Sequence, residues 1–255
     1  MRQTSQRGFS VNAPLISCIV PVFNGEAYLG EALGSIWQQT YRPLEIIVVD
    51  DGSTDGTAAV AAGYGDRVRY VKQINTGAPT ARNLGLSMAR GEFVAFLDAD
   101  DLWHPEKLER QIARFAARPE LQVCVSYLQN FWIPKLEVEK SRFLGHPLSE
   151  PLAGYSTVTL LARRVLFEQV GLFSPDLRIG DTTDWFLRAS EQGAVIELLS
   201  DVLAYRRMHE HNMSMEPGSR QPTSAMQSAI LRVVKASLDR RRKNESAPVS
   251  LKFPS

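Results

Sequence analysis

Two pairs of acidic residues in this chain are spaced so that they could bind a metal ion and a polar ligand. Asp98 and Asp100 end one apolar run, and Asp50 and Asp51 end another. Asp98 and Asp100 are one residue apart at a strand end, so their carboxylates point the same way and repel each other. A cation or hydrogen-bond donors should therefore lie between them. Carboxylate oxygens favour Mg2+ or Mn2+, which share phosphate oxygens with a ligand. This layout suits a metal-bound nucleoside diphosphate, and the alternative is a solvated turn in which Asp101 caps the next helix.

The turn after the second acidic pair combines ligand-binding and turn-forming residues. Asp51 can accept a hydrogen bond from a base N–H or a ribose hydroxyl, while Gly52 and Ser53 are strong turn formers. No G-x-G-x-x-G motif follows the first apolar run, where the sequence is VFNG at residues 22–25. The absence of that motif argues against a dehydrogenase.

A helix start further along the chain offers a site for an anion. The segment Thr76–Pro79 opens a helix, and its backbone N–H groups and dipole favour a negative charge there. Arg82 can add a bidentate contact to a phosphate. The alternative is a capped surface helix with a solvated arginine.

Candidate groups for proton transfer and metal binding also lie late in the chain. Asp181 precedes a predicted helix that begins at Asp184, and a carboxylate there can act as general base for an acceptor hydroxyl. In the alternative, both aspartates are helix caps or parts of a solvated turn. His209 and His211 form an H-x-H pattern that suits a metal ligand or a phosphate donor, and a surface histidine pair is the alternative.

The elements that position these residues alternate as in an α/β fold, with a mostly parallel central sheet flanked by helices. Strands are predicted at 16–22, 44–49, 68–73, 93–97, 121–127, 157–162, 195–199 and 202–206. Helices are predicted at 28–37, after Gly56, and at 79–91, 105–116, 163–170, 184–192 and 227–242. Asn24 is predicted to cap the first helix. The apolar residues of 130–155 show neither helix nor strand periodicity. This indicates a long loop or lid that contacts substrate, and disorder is the alternative.

Composition limits the classes of protein to which the chain can belong. Its 255 residues suffice for one large or two small α/β domains, and its net charge of +1 gives no field that would attract nucleic acid. Cys18 and Cys124 fall in predicted buried strands, which favours core thiols over a disulfide or a metal site. No segment approaches the ~18–20 apolar residues of a membrane span, and the N-terminus lacks a signal-peptide core. We expect a soluble cytoplasmic protein.

Together these segments resemble family 2 of the glycosyltransferases, which are inverting enzymes with the GT-A fold, a single Rossmann-like domain. The matching segments are SCIVPVFNGEAYLGEALGSIWQQTYRPLEIIVVDDGSTDGT, NTGAPTARNLGLSMARGEFVAFLDADDLWHPEKL, VGLFSPDLRIGDTTDWFLRASEQG and YRRMHEHNMS. The resemblance implies a nucleotide-diphosphate-sugar donor, with a UDP-sugar favoured, and Mg2+ or Mn2+ as cofactor. It also implies an acceptor hydroxyl on a saccharide, a lipid-linked compound or another molecule.

The resemblance further implies roles for individual residues. The implied donor-binding residues are Pro21, Phe23, Asn24, Glu26, Asp51, Arg82, Asn83 and Asp98. Among them, Asp51 matches the aspartate that recognises the base, and Asp98 matches the aspartate on the ribose side. Asp100 matches the metal ligand, and His209 matches the late histidine that approaches the metal or the diphosphate.

The chain departs from the family pattern at the candidate base. Lined up from Arg188, the usual base position is Thr182, whose hydroxyl cannot act as a base at neutral pH. Asp181 or Asp184 would then take the catalytic role, and Asp181 is preferred because it lies ahead of the predicted helix. Phe23 also stands where the family often has tyrosine, which is a mild change.

Two other functions fit parts of the sequence. A non-catalytic nucleotide-sugar-binding protein, acting as a partner subunit, would bind the donor without releasing a nucleoside diphosphate. A nucleotidyltransferase would place a glycine-rich basic loop directly after the first strand, where this chain has Asn24-Gly25-Glu26.

We expect three regions along the chain. They are a flexible N-terminal arm (1–13), a GT-A domain (14–215) with a donor-binding half (14–101) and an acceptor-side half (102–215), and a C-terminal tail (216–255) with a helix. The tail helix places Ile230, Leu231, Val234 and Leu238 on one stripe, followed by the basic run Arg240–Lys243. Such a helix can contact an anionic membrane peripherally at its inner face, and the alternative is a solvated or partner-packed helix.

Overall fold

The computed structural model describes residues 13–136, 141, 143, 145–209 and 224–246. Within these residues, nine strands form one sheet, namely β1 (Ile16–Val22), β2 (Leu44–Asp50), β3 (Arg69–Lys72), β4 (Phe93–Phe96), β5 (Leu102–Trp103), β6 (Val123–Trp132), β7 (Leu152–Ala153), β8 (Leu161–Arg163) and β9 (Ile196–Met208). The α-helices are α1 (Leu29–Trp37), α2 (Thr57–Ala62), α3 (Ala78–Met88), α4 (Lys107–Ala117), α5 (Val165–Val170), α6 (Asp181–Glu191) and α7 (Ser224–Ser246).

The strand order across the sheet is β3-β2-β1-β4-β8-β6-β9-β5, and β7 pairs with β6. The first four strands in this order are parallel, and β6 and β9 are also parallel to each other. β8 runs antiparallel between β4 and β6, and β5 and β7 are short antiparallel strands. The predicted α/β fold with a mostly parallel sheet is therefore confirmed.

The sheet buries apolar side chains on both faces, as expected when helices cover it on either side. Along β1, Cys18 and Val20 belong to one buried cluster with α1 and α4, whereas Ile19 belongs to a second cluster with α3 and α6. This two-sided burial explains why the strands at the sheet centre are continuous apolar runs.

The parallel strands bring three loops to one edge of the sheet. Val22 at the end of β1 is in register with Asp50 at the end of β2, and Ile19 is in register with Phe96 at the end of β4. The loops that follow these strands carry most of the predicted donor-binding residues. Their convergence is the reason that residues from distant parts of the sequence meet there.

Asn24 does not cap the first helix, contrary to the prediction. α1 begins at Leu29, whereas a helix capped by Asn24 would begin directly after it. The residue at the N-cap position of α1 is Tyr28. Asn24 has a φ of 51°, and its side-chain oxygen accepts a hydrogen bond from the backbone N–H of Thr54 at 2.9 Å. The side chain therefore joins two loops instead of capping a helix.

The predicted loop at 130–155 is wrong at both ends. β6 continues to Trp132 because it pairs with β9 as far as Met208, and β7 pairs with β6 just before the end of the predicted loop. The segments predicted as strands at 195–199 and 202–206 form one strand, β9, with a register shift opposite Ser126–Leu128. The strand predicted at 157–162 begins as a 3-10 turn and becomes β8 only at Leu161.

The helix predicted to begin at Asp184 begins three residues earlier, at Asp181. The residue before it, Gly180, has a φ of 89°, which a glycine adopts at little cost, and its carbonyl accepts the N–H of Asp184 at 2.9 Å. Both aspartates thus lie in the first turn of α6, and neither is its cap.

The C-terminal helix is longer than predicted, and the predicted stripe is not its buried face. α7 buries Ala229, Val233 and Ser237, whereas the four residues of the stripe are exposed. Among the described residues, no helix is both long and apolar enough to cross a membrane. Of the predicted regions, residues 1–12, 210–223 and 247–255 lie outside the described part, and His211 lies among them.

Candidate active site

The loops after β1 and β2 are joined by side-chain hydrogen bonds. Asn24 donates its backbone N–H to Ser53 Oγ at 2.8 Å and accepts from the backbone of Thr54. Glu26 accepts the backbone N–H of Gly56 at 2.9 Å. The side chains of Asn24 and Glu26 therefore hold the wall of the site, and their contact with a donor is a prediction that the structure leaves open.

Pro21 and Phe23 lie at the carboxyl end of β1 and differ in burial. Pro21 is buried within β1 and pairs in register with Val49 of β2. Phe23 follows the strand and is 52% exposed. An exposed ring at the edge of the site is suited to stacking on a planar ligand group.

Asp51 is buried and orders the segment that leads into α3. Its Oδ1 accepts from Gln73 Nε2 at 2.7 Å and from Thr76 N at 2.9 Å, and its Oδ2 accepts from Gly77 N at 2.8 Å. A carboxylate has about four lone-pair sites, so these contacts occupy most of them. Asp51 retains one position on Oδ2 for a ligand donor such as a base N–H.

Asp50, the neighbour of Asp51, is also buried and faces a different set of donors. Burial would raise its pKa, but hydrogen bonds from Tyr70 and Ser53 hold the pKa of Asp50 below its ordinary value. The Tyr70 hydroxyl donates to Oδ2 at 2.5 Å, and the Ser53 N–H donates to Oδ1 at 2.7 Å. Asp50 thus remains charged and fixes the turn.

Arg82 is buried on α3 and bridges two carboxylates. Its Nη1 donates to Asp181 Oδ2 at 2.7 Å, and its Nη2 donates to Asp98 Oδ1 at 3.0 Å. Its Nε has no hydrogen-bond partner in the described part of the chain. Arg82 is therefore committed to carboxylates here, whereas the sequence predicted a phosphate contact.

Asn83, the neighbour of Arg82, makes two reciprocal hydrogen bonds with the backbone of Phe173. Its Nδ2 donates to Phe173 O at 2.8 Å, and its Oδ1 accepts Phe173 N at 3.0 Å. Both ends of the amide are satisfied by this backbone pair. Asn83 therefore ties α3 to the segment before α6, and the structure does not direct it at the donor.

The two candidate bases differ in their partners. Burial is the main cause that raises the pKa of Asp181, and the charge of Asp98 adds to it, while Arg82 opposes the shift. Asp184 accepts from Arg188 Nε at 2.8 Å and pairs with Arg240 Nη1 at 3.3 Å. Asp184 is thus held between two arginines on the side of α6 that faces α7, whereas Asp181 faces Arg82 and Asp98.

Asp100 and His209 meet at the carboxyl ends of β4 and β9. His209 Nε2 lies 2.9 Å from Asp100 Oδ2, and its ring packs against Tyr28 with the ring centroids 5.3 Å apart. These two predicted metal-binding residues are 109 positions apart in the sequence. The fold brings them together, whereas Asp98 turns to Arg82.

Arg207 holds this corner of the site, a role that was not predicted from the sequence. Its guanidinium lies between the rings of Tyr28 and Phe131, 4.6 Å and 4.8 Å from their centroids. Its Nε donates to the backbone oxygen of Asp100 at 2.8 Å, and its Nη2 donates to Glu31 at 2.9 Å. The signal in the sequence was the pair of arginines just before His209, at a strand end.

Asp101 does not cap the next helix, so the alternative interpretation of the acidic turn as a solvated helix cap is wrong at this residue. It is buried, and its Oδ1 accepts the backbone N–H of Arg207 at 2.9 Å. Burial, with the charges of Asp100 and Asp98 added, raises the pKa of Asp101 well above its ordinary value. Asp101 therefore connects the acidic turn to β9.

The residues at this corner fit a divalent cation that is shared with a ligand. In the part of the chain that the structure describes, no group of three or more His, Cys, Asp or Glu side chains is arranged to hold a metal by itself. Mg2+ is usually bound by one or two carboxylates, with substrate phosphates and waters completing the shell. Asp100 and His209 supply such a partial set.

Comparisons with known proteins identify the family of this chain. The family model described as glycosyl transferase family 2 matches residues 17–180. The uncharacterized glycosyltransferase RT0329 of Rickettsia typhi is 35% identical over 213 residues, which are 78% of this chain and 65% of the relative. The uncharacterized glycosyltransferase EpsJ of Bacillus subtilis is 30% identical over 222 residues, which are 80% of this chain and 64% of the relative.

Solved structures support the same fold. S. aureus TarS (residues 1–349), in complex with UDP, gives a TM-score of 0.67 at 22% identity, covering 88% of this chain and 65% of that one. The mannosyltransferase PcManGT from Pyrobaculum calidifontis, in complex with GDP-Man and Mn2+, gives 0.67 at 20% identity, covering 93% and 67%. These likenesses confirm the GT-A fold.

The fold and the family match together define a glycosyltransferase of the GT-A type. The chain belongs to glycosyl transferase family 2. The chain spans about two thirds of the length of the relatives given above, namely 65% and 64%.

Proposed function

We propose that this protein transfers a sugar from a nucleotide-diphosphate-sugar to an acceptor hydroxyl, with inversion and with the help of a divalent cation. The observation that carries the proposal is the placement of two carboxylate sites at one edge of the sheet. Asp100 with His209 forms one site, and buried Asp181 at the start of α6 forms the other. Arg82 donates to Asp181 and to Asp98, and so connects the start of α6 with the acidic turn after β4.

The donor site is assigned to the loops after β1, β2 and β4. Asp51 retains an acceptor position for a base N–H, and Phe23 offers an exposed ring just after β1. A UDP-sugar is the donor that we favour. The UDP in TarS and the GDP-Man in PcManGT support a nucleotide donor in this fold.

Asp100 and His209 are the residues that would hold Mg2+ or Mn2+. The cation would neutralise negative charge on the leaving diphosphate. Arg207 fixes the backbone of Asp100 by a 2.8 Å hydrogen bond and so keeps this carboxylate in place. The Mn2+ in PcManGT supports this part of the proposal.

Asp181 is the base that we propose. Its Oδ1 or Oδ2 takes the proton of the acceptor hydroxyl while that oxygen forms a bond to the anomeric carbon from the face opposite the diphosphate. The bond from the anomeric carbon to the diphosphate oxygen breaks in the same step, so one displacement inverts the configuration. Burial raises the pKa of Asp181, which makes it a stronger base than an exposed aspartate.

A second candidate is a non-catalytic nucleotide-sugar-binding protein that acts as a partner subunit. Two observations favour it, since Thr182 occupies the usual base position and Asp181 is held by Arg82 at 2.7 Å. Such a protein would bind the donor but would release no nucleoside diphosphate.

Calorimetric titration with UDP, GDP and dTDP, each with and without Mn2+, tests the donor site. We expect metal-dependent binding of one nucleotide, and we expect Asp100→Ala to abolish the metal dependence. Asp66→Ala is the matched control, because Asp66 lies on a 3-10 turn between α2 and β3, outside the site. Binding of the nucleotide with equal affinity in the absence of metal, or in Asp100→Ala, would remove the proposed metal site.

A coupled assay for released nucleoside diphosphate separates the two candidates. Release in the presence of an acceptor supports the transferase, whereas tight donor binding without release with any acceptor supports the partner subunit.

The division of the domain into halves at residue 101 and the cytoplasmic location remain predictions. Contact with a membrane depends on a different surface and is a separate proposal.

A further inference from the structure

α7 packs on the start of α6 through a narrow face of small residues. A side chain at Gly180 would lie 3.4 Å from Val233 and 3.6 Å from Ala229, so the backbone of Gly180 and α7 are in close contact. Gly180 directly precedes Asp181, the proposed base. The helix is therefore fixed beside the acceptor side of the candidate active site.

A second face of α7 exposes four large aliphatic side chains. They are Ile230, Leu231, Val234 and Leu238, and we name them the aliphatic stripe. Leu231 is 71% exposed and Leu238 is 50% exposed. Their spacing places them on one face, about 100° wide, of a helix of 3.6 residues per turn. Apolar residues that are exposed singly are ordinary, but a continuous line of them indicates an interaction surface.

Cations surround the aliphatic stripe. Arg241 and Arg242 are exposed and lie one turn beyond its end, and Arg241 also lies 3.8 Å from Glu191 of α6. Arg232 and Lys235 are exposed along its length. Among the described side chains of α7, the acidic one is Asp239. This surface therefore combines aliphatic groups with an excess of positive charge.

We propose that the aliphatic stripe and its cations dock on the surface of an anionic lipid bilayer. A bilayer surface offers hydrocarbon just below a layer of negative phosphates, which matches both parts of this surface. A second copy of the chain fits less well, because it would bring Arg241 and Arg242 against a face with the same positive charge. Charge complementarity therefore selects lipid as the partner.

The docked helix would place the candidate active site next to the bilayer. Because α7 contacts the residue before Asp181, an acceptor hydroxyl carried by a lipid would reach the proposed base without leaving the membrane surface. This consequence rests on the proposed function and narrows the acceptor to a lipid-linked hydroxyl. The docking itself depends on α7 alone.

Flotation of the full chain with vesicles tests the docking. The vesicles contain phosphatidylcholine with or without phosphatidylglycerol, and the variants are Leu231→Ser/Leu238→Ser and Arg241→Gln/Arg242→Gln. Val165→Ser is the matched control, because Val165 is a similarly exposed aliphatic residue at the start of α5. All substituted positions are exposed, so circular dichroism should show folded proteins.

We expect the unsubstituted chain and Val165→Ser to float with the anionic vesicles and to bind neutral vesicles about tenfold less well. Each double variant should lose most of the binding. Equal flotation of Leu231→Ser/Leu238→Ser, or no flotation of the unsubstituted chain, overturns the proposal. A dimer in light scattering that these substitutions dissociate, without vesicle binding, would assign the stripe to a second copy.

Calorimetry on the same samples separates this proposal from the proposed function. The variants of α7 should bind nucleotide as the unsubstituted chain does, since α7 is remote from the loops after β1 and β2. Vesicle binding by a chain that binds no nucleotide would leave the docking intact and would remove the transferase. Nucleotide binding without vesicle binding would leave the proposed donor site intact and would remove the docking.

Discussion

Arg82 and Asp181 lie 2.7 Å apart although 99 residues separate them in the chain. Both side chains are buried, and the same guanidinium also donates to Asp98. The guanidinium opposes the rise in the pKa of Asp181 that burial causes. It also connects the acidic end of β4 with the start of α6, so the donor and acceptor sides of the site share one cation.

Asp181→Asn should abolish most of the sugar transfer while nucleotide binding persists. Asparagine keeps the shape of the side chain but cannot take a proton, and general-base catalysis typically contributes about 10²–10⁴-fold. Turnover is measured as nucleoside diphosphate released, and binding is measured by calorimetry. Asp184→Asn is the control and should lower turnover far less, since Asp184 faces Arg188 and Arg240. A larger loss in the control would move the base to Asp184.

The pH profile of transfer should show an acid limb from Asp181. The base acts only when it is deprotonated, so activity is present above its pKa and is lost as the pH falls through it. Because burial, and then Asp98, raise this pKa, the limb should lie above the ordinary aspartate value of about 3.9. The residual activity of Asp181→Asn should lack the limb, and an unchanged limb in that variant would point to another group.

Arg207→Lys should weaken metal-dependent nucleotide binding by about tenfold, which is ~1.4 kcal/mol. Lysine keeps the charge but loses the planar group that lies between Tyr28 and Phe131 and that donates to both Asp100 and Glu31. Arg164→Lys, in a surface ion pair with Glu168, is the control and should bind normally. Normal metal-dependent affinity in Arg207→Lys would show that Arg207 does not position Asp100.

Arg240→Gln should lower the free energy of unfolding by about 1–3 kcal/mol. Arg240 donates to Glu191 at 2.8 Å and pairs with Asp184 at 3.3 Å, and both carboxylates are largely buried between α6 and α7. Urea unfolding gives the measurement. Arg241→Gln is the control, because its Nε is 3.8 Å from Glu191 and the side chain is exposed, so a loss below about 0.5 kcal/mol is expected. Equal losses in the two variants would contradict a specific role for Arg240.

Lys107→Met should change how stability depends on pH. Lys107 is fully buried, its Nζ donates to Gln111 at 2.8 Å, and burial lowers its pKa to about 7. The unfolded state then binds more protons than the folded state above pH 7, so stability rises with pH until the Cys18 and Cys124 thiols ionise in the unfolded chain near pH 9. The slope approaches about 1 kcal/mol per pH unit.

In Lys107→Met that rise should disappear, and the variant should gain most at acid pH, where the charged amine costs the folded state most. Urea unfolding of both proteins between pH 6 and pH 9 is the measurement, with the range set by the pKa of about 7. Parallel pH profiles for the two proteins would show that Lys107 stays charged inside the fold.

The sequence predicted the parallel half of the sheet well because its signals are local. β1 is a fully buried and mostly apolar run, and its observed bounds equal the predicted ones. The acidic turn at residues 98–101 follows an apolar strand in the same way, so its place at the sheet edge was predictable. These features depend on burial of the strand itself and need no knowledge of distant partners.

Other features could not be predicted because they depend on partners far along the chain. The residues around Asn24 favour a helix cap, but its side-chain oxygen accepts a hydrogen bond from the backbone of Thr54 instead. Asn130 looks like the start of a loop, but its amide donates to Leu148 O and accepts from Arg206, which extends β6. Arg207 contacts three other segments of the chain, so its role could not be predicted without knowing where those segments lie.

The contacts of Arg207 determine the stage of synthesis at which the protein can bind its ligands. Arg207 reaches Glu31, 176 residues earlier, and the backbone of Asp100. A ribosome that has released only the first half of the chain has already produced Asp51 and Asp100, yet Asp100 then lacks both Arg207 and His209. The nascent protein should therefore be unable to hold metal and nucleotide together until β9 has emerged and joined β6.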